Sequence, residues 1–179
     1  MLRYYDREDH YEEMRNWYDG YRFGSTDVYC PWDVLNHCDK IKENAAAFPE
    51  NYWVHTSSNE AVKKIIQMSG NITTKREIEL LLAGEEIVKE IRQELTYQAV
   101  ENIWSLLFMT GYLTQRQRLD ASHYKLAIPN LEVRDIFKTQ IMEYFKEGVA
   151  KDGDTLKQLC DALKGGDAEK VERLFEGYL

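Results

Sequence analysis

Helix-period and strand-period patterns alternate along this chain, and each closes on its own turn or capping residues. Glu8 to Trp17 reads as a charged, half-exposed helix that stops at the turn pair Asp19-Gly20. Tyr21-Arg22-Phe23-Gly24 then alternates, turns through Ser25-Thr26-Asp27 and returns as Val28-Tyr29-Cys30, the pattern of a small β-hairpin. Pro31 suits a first helical position and opens a helix over Trp32–Lys42 with Val34, Leu35 and Ile41 inward. Ser57-Ser58-Asn59-Glu60 and Thr74-Lys75-Arg76-Glu77 both have the capping-box form, in which hydroxyl and carboxylate satisfy each other's backbone donors. They predict helices over residues 58–69 and 75–83, closed by Gly70 and Gly84.

Ile87, Ile91 and Leu95 fall every four residues and, with Val88, suit either a helix or a short strand. Gln98 to Thr110 is a strongly apolar helix stopped by Gly111. Tyr112–Arg118 and His123–Ile128, joined by the polar stretch 119–122, form a second hairpin pattern. Pro129-Asn130 caps a helix from Leu131 to about Glu147, and two short helices, near 154–164 and 168–177, flank Gly165-Gly166. From 57 to 128 the order is helix, helix, short segment, helix, hairpin. That is the order of a winged helix, and it favours a strand over 86–94.

The expected fold is therefore mainly α, a helical lid region plus a winged-helix-like subdomain with small β-hairpins. Residues 1–56 form the lid region with its hairpin, 57–150 the winged-helix-like subdomain, and 151–179 a helical hairpin or linker.

Composition narrows the function classes. Charged residues are 30% and hydrophobic ones 44%, ordinary values for a folded chain. The net charge of −8 comes from residues 1–56 and 143–179, while 57–142 is balanced, so no segment is a basic patch. Three cysteines, Cys30, Cys38 and Cys160, are odd in number and widely spaced, which fits reduced thiols. No apolar run nears the length of a membrane span, and MLRYYDRED has no signal-peptide pattern. A cytoplasmic protein without a membrane partner is expected.

The motifs of common chemistries are missing. There is no GxxxxGK[ST] to cradle a nucleoside triphosphate, no GxGxxG, and Gly165-Gly166 reads as a helix stop. CxxC, HExxH, EF-hand and GxSxG patterns are absent. Cys30, His37 and Cys38 lie close in sequence, but Cys38 reads as a small core residue and His37 as a helix-surface one. His55 beside Thr56 and His123 beside Ser122 are sequence neighbours, which seldom make a catalytic dyad. Neither a catalytic, a cofactor-binding nor a metal-ligating residue is expected. In a winged helix, the helix 98–110 would enter a DNA groove, yet past Gln98, Glu101 and Asn102 it offers mostly Trp, Leu, Phe and Met. It reads as a core or interface helix, leaving Arg116, Arg118 and Lys125 of the wing for one or two phosphate contacts.

Several blocks are more individual. Trp17-Tyr18-Asp19-Gly20-Tyr21-Arg22-Phe23-Gly24 is followed by Val28-Tyr29-Cys30-Pro31-Trp32, then by Tyr52-Trp53-Val54 ahead of Thr56-Ser57-Ser58. Gly111-Tyr112-Leu113-Thr114 and Ile128-Pro129-Asn130-Leu131-Glu132-Val133 complete the set. In this order and spacing, from about Met14 onward, they resemble the bacterial AAA-ATPase-like family, whose members often carry a PD-(D/E)XK nuclease-like domain. The sequence departs from the family pattern at Cys30, usually Asn, and at Asp33, often Ser. Cysteine is a poor helix cap, while an acidic residue in a first turn suits the helix dipole.

The resemblance implies a phosphate-binding loop and an acidic Mg²⁺-binding strand upstream of the WYDGY block, and a nuclease-like domain downstream. Met1 would fall partway into a helix of the family, as in a truncated or split frame. The expected function is a non-catalytic lid and winged-helix fragment that couples the nucleotide state of an ATPase core to an effector domain. ATP and Mg²⁺ would belong to that core. Trp17, Tyr18, Asp19, Tyr21, Arg22 and Phe23 are the candidate coupling residues, with Tyr18, Tyr21 and Phe23 packing the hairpin against the lid and Asp19 or Arg22 facing the core. The expected partners are the ATPase core and the nuclease-like domain, with homodimerisation through exposed apolar surface; nucleic acid is not expected for the fragment alone. The alternative is a stand-alone winged-helix regulator that binds DNA.

Overall fold

The computed structural model describes residues 1–53, 59–67, 72–92 and 103–165, and the chain divides into two units, Met1–Gln140 and Ile141–Leu179. Two turns of 3-10 helix, Leu2–Tyr5 and Glu8–His10, lead into α1 (Tyr11–Tyr18). The hairpin of β1 (Tyr21–Phe23) and β2 (Thr26–Val28) follows, then α2 (Pro31–Glu43). After these come α3 (Glu60–Gln67), α4 (Ile72–Ala83), β3 (Ile87–Glu90) and α5 (Ile103–Met109). Strands β4 (Thr114–Arg118) and β5 (His123–Ala127) precede α6 (Leu131–Gly165). Helices thus dominate, with two small antiparallel sheets.

Most turn signals hold. Gly84 and Gly111 sit at φ +88° and +84° and end α4 and α5, a backbone region that favours glycine. Asn130 Oδ1 accepts from the Val133 N–H at 3.0 Å and caps α6. The segment 87–90 is a strand, as its place before the apolar helix suggested. Among the described residues, no helix is long and apolar enough to cross a membrane.

Four local expectations need correction. The first hairpin turns at Gly24-Ser25, with Phe23 opposite Thr26 and Tyr21 opposite Val28, because Gly24 at φ +61° permits a two-residue turn. Thr74 lies inside α4 and cannot cap it, since the helix already includes Ile72. In α2 the inward face is Asp33, His37, Cys38 and Ile41, and Leu35 is 48% exposed. The face is rotated because Asp33 is drawn inward against another carboxyl, described below. Finally, α6 runs unbroken through Gly148 and Gly153. A helical glycine costs only about 1 kcal/mol, and no proline intervenes to end the helix. The expected helix at 168–177, the start of the helix at 98–102, and the Ser57 cap lie outside the described residues.

In the first unit, Met14, Tyr18, Cys38, Ile41 and Tyr52 form one buried cluster, flanked by half-buried Leu2, Tyr5, Trp17, Tyr29, Val34 and Ala47. Leu107 of α5 is fully buried, as are Val62 and Ile65 of α3, Leu81 of α4, Leu126 of β5 and Phe137 of α6. The three-stranded sheet has the order β3-β5-β4. Gln115 and Gln117 oppose the neighbouring residues Leu126 and Lys125, so Arg116 is the extra residue of a β-bulge.

Candidate functional site

The described parts of the individual blocks of the sequence meet in space around the first hairpin. Tyr18, fully buried at the end of α1, accepts from the Glu50 N–H and donates to the Glu50 carbonyl, both at 3.1 Å. Its ring lies 5.8 Å from that of Tyr52 and 5.5 Å from that of His37. Gly20, at φ +108°, lets the chain press against the Pro129 carbonyl: a Cβ there would sit 2.1 Å from that oxygen. At Gly111 a Cβ would meet the Trp53 ring at 3.0 Å, and Trp53 packs on Tyr112 at 4.9 Å. The Tyr112 hydroxyl donates to Asn59 Oδ1 at 2.6 Å. Close approach explains why these blocks hold glycine beside aromatic residues.

The hairpin is tied to the sheet by polar contacts. The Arg22 N–H donates to Thr114 Oγ1 at 2.8 Å, and the Arg22 guanidinium grips Asp27 through two bonds of 2.7 and 3.0 Å. The bulge at Arg116 aims its guanidinium back at the hairpin, 3.3 Å from the Gly20 carbonyl and 3.6 Å from Asp27. Arg116 therefore braces β1 and β2, where the sequence suggested a phosphate contact. The other wing cations are also engaged: Arg118 donates to the carbonyls of Asp120 and Ala121, and Lys125 lies 3.8 Å from Glu86.

Two helix starts meet at a buried acid pair. Asp33, in the first turn of α2, and Glu132, in the first turn of α6, are each 1% exposed. Glu132 Oε1 accepts from the Trp53 N–H at 2.9 Å. Asp33 Oδ1 and Glu132 Oε2 have no other donor, and a proton shared between the carboxyls satisfies both. Burial, and then the Asp33 carboxyl, push Glu132 up to about 8, which favours its protonated form. Burial, and then Asp33, likewise push the Cys30 thiol up to about 11. Cys30 stands at the N-cap position of α2 without a capping side-chain bond.

The six coupling candidates do not share one environment. Tyr18 is core, and Trp17 and Tyr21 are half-buried. Asp19 Oδ1 accepts from its own neighbour, the Gly20 N–H, at 2.8 Å. Arg22 is held by Asp27 and does not reach outward. Phe23, expected to pack against the lid, is 69% exposed. The apolar surface continues elsewhere: Val28 and Trp32 are exposed, and Val28, Tyr29, Pro31 and Val34 line a groove with Tyr11 and Met14.

Two minor expectations can be placed. Ser122 Oγ lies 3.4 Å from His123 Nδ1, but Asp120 bonds that same nitrogen at 3.0 Å. A relay needs the two partners on opposite ring nitrogens, so this arrangement is a turn. His55 and Thr56 lie outside the described residues. His37, expected on the helix surface, is fully buried, while Cys38 is core as expected. Among the described residues, His10, Glu13 and His37 form a group of potential metal ligands, a set the sequence reading missed. Its only sequence signals were the His10-x-x-Glu13 spacing and the four-residue spacing of Asp33, His37 and Ile41.

No protein-family model matches the chain, and no solved structure matches it. It is similar to an "Uncharacterized protein in vnfD 5'region" of Azotobacter chroococcum mcd 1, at 27% identity over 172 residues. The match takes in 93% of this chain and 30% of that protein, so the chain spans under a third of its relative's length.

Proposed function

We propose that this chain is a non-catalytic lid and winged-helix segment of an AAA-ATPase-like protein. In this reading it relays the nucleotide state of an adjoining ATPase core to a nuclease-like or other effector domain. The observation that carries the reading is the convergence of the described parts of the resembling blocks around one hairpin. Phe23 and Val28 of that hairpin are exposed, as is Trp32 at the start of α2 just after it. The hairpin is also bonded to the three-stranded sheet through Thr114 and Arg116. In this reading, a displacement of the hairpin passes to the sheet through these bonds. The sheet order β3-β5-β4, with helices α3 and α4 ahead of it and α5 before the hairpin, supports the winged-helix part. The length of the relative supports a role within a longer protein.

The test is an ATPase core carrying GxxxxGK[ST], encoded in the same reading frame or beside it, joined or mixed with residues 1–179. The expected result is that the two associate and that ATP changes the association. If neither reading frame nor neighbourhood encodes such a core, the proposal fails. Retention of duplex DNA at physiological ionic strength, weakening steeply with salt, would instead favour a free-standing winged-helix regulator. The buried face of α5 (Ile103, Trp104, Ser105 and Leu107) and the engaged cations of the wing speak against that alternative.

A further inference from the structure

We propose that His10, Glu13 and His37 form a binding site for a divalent transition-metal ion, with Zn²⁺ the best fit. One potential ligand atom from each residue lies within 4.8 Å of the other two. Two imidazoles and one carboxylate are the donor set of an open zinc site, which leaves a fourth position for water or a substrate group.

The hydrogen bonds around the trio argue for an ion. His10 Nε2 lies 2.9 Å from the Ala45 carbonyl, which can only accept, so this nitrogen carries the proton. In a neutral ring Nδ1 then presents a lone pair, yet it faces Glu13 Oε2 at 2.9 Å. Two acceptors at that distance need a positive charge between them, either a second proton or a metal ion. His37 separates the two cases. Its ring is fully buried and Nε2 has no hydrogen-bond partner, while Nδ1 lies 3.4 Å from the Tyr52 hydroxyl. A second proton on His10 leaves His37 Nε2 unsatisfied; an ion bound through His10 Nδ1, Glu13 and His37 Nε2 satisfies both nitrogens.

The surroundings match a metal centre. Each histidine is oriented through its other nitrogen, His10 by a backbone carbonyl and His37 by Tyr52, as metal-ligating histidines usually are. Lys40, whose charge is felt at His37, is paired with Glu50, and Asp9 adds a negative charge 3.9 Å from His10 Nε2. Tetrahedral ligands stand about 3.3 Å apart; His10 Nδ1 and Glu13 Oε2, at 2.9 Å, are already near that spacing, and no pair of ligand atoms in the trio is more than 4.8 Å apart. The ion would join the start of α1 to the middle of α2, which is also where the lid region packs. This inference does not rest on the coupling function.

The 179-residue chain, freed of metal with a chelator, is titrated with Zn²⁺ by calorimetry and with Co²⁺ by visible absorption. One ion per chain is expected, with the strong d–d bands of a low-symmetry cobalt site and a raised melting temperature. Glu13→Gln keeps a hydrogen-bond partner for His10, its amide N–H able to donate to Nδ1, so it tests binding without emptying the core, and it should weaken Zn²⁺ at least ten-fold. His37→Gln should do the same where it folds, and Cys30→Ser and His123→Asn should bind like the parent chain. Absence of saturable binding overturns the proposal. So does a Glu13→Gln chain that titrates like the parent, or loss of binding in Cys30→Ser or His123→Asn.

Discussion

The carboxyl of Glu132 in the first turn of α6 meets that of Asp33 in the first turn of α2, and both side chains are sealed from solvent. An acidic residue near a helix start ordinarily stays ionised and favours the helix dipole. Here two helix starts are brought together, and burial together with the neighbouring carboxyl overrides that tendency. The pair therefore links the start of α6 to the start of α2.

Stability should fall as pH rises across the window this pair defines. Glu132 titrates near 8 in the fold, against roughly 4.3 for an unfolded glutamate. Between those values the native state holds the extra proton, so raising the pH favours unfolding. Glu132→Gln mimics the protonated form, still accepting from the Trp53 N–H and donating to Asp33. Denaturant midpoints of the two chains should nearly coincide at about pH 4 and separate by about pH 9, with the variant ahead by at least about 1 kcal/mol. Parallel profiles would show that the pair holds no shared proton.

Gly20→Ala should be severely destabilising. The substitution meets the Pro129 carbonyl at 2.1 Å and carries a φ of +108° that side chains avoid. A loss of about 3 kcal/mol or more is expected, seen as a large drop in melting temperature or in soluble yield. Gly24→Ala, with φ +61° and open space, should cost only about 1–2 kcal/mol.

Thr114→Val should loosen the joint between hairpin and sheet. It keeps the shape but leaves the Arg22 N–H without its acceptor, at a cost of about 1–3 kcal/mol. Amide exchange at Arg22 should quicken, and Thr114→Ser should restore both stability and protection. Unchanged exchange in Thr114→Val would mean that this bond does not hold the hairpin.

Phe23→Ser and Trp32→Ser should separate folding from coupling. Both side chains are largely exposed, so each change should alter stability by no more than about 0.5 kcal/mol. Association with an ATPase core, measured by light scattering or calorimetry, should weaken in both. Association that survives in the double variant would place the contact elsewhere.

The sequence by itself determined the local punctuation of this protein. Gly84, Gly111, Asn130 and Pro31 set helix ends because a cap depends on the backbone angles and bonds of residues a few positions away. The two hairpins were legible for the same reason, whereas the strand 87–90, ambiguous in its own pattern, was favoured by the order of the elements around it. Sequence resemblance also singled out the blocks that meet at Gly20, Trp53, Gly111 and Pro129, although not that they touch. Tertiary structure alone decided which face of α2 turns inward, because the partner of Asp33 lies in a helix at the far end of the first unit. It also set Arg116 on a bulge, which depends on pairing between β4 and β5, and it buried His37 beside His10 and Glu13. In each case the decisive neighbour is remote along the chain, and periodicity records only that a residue is polar, not what it will meet.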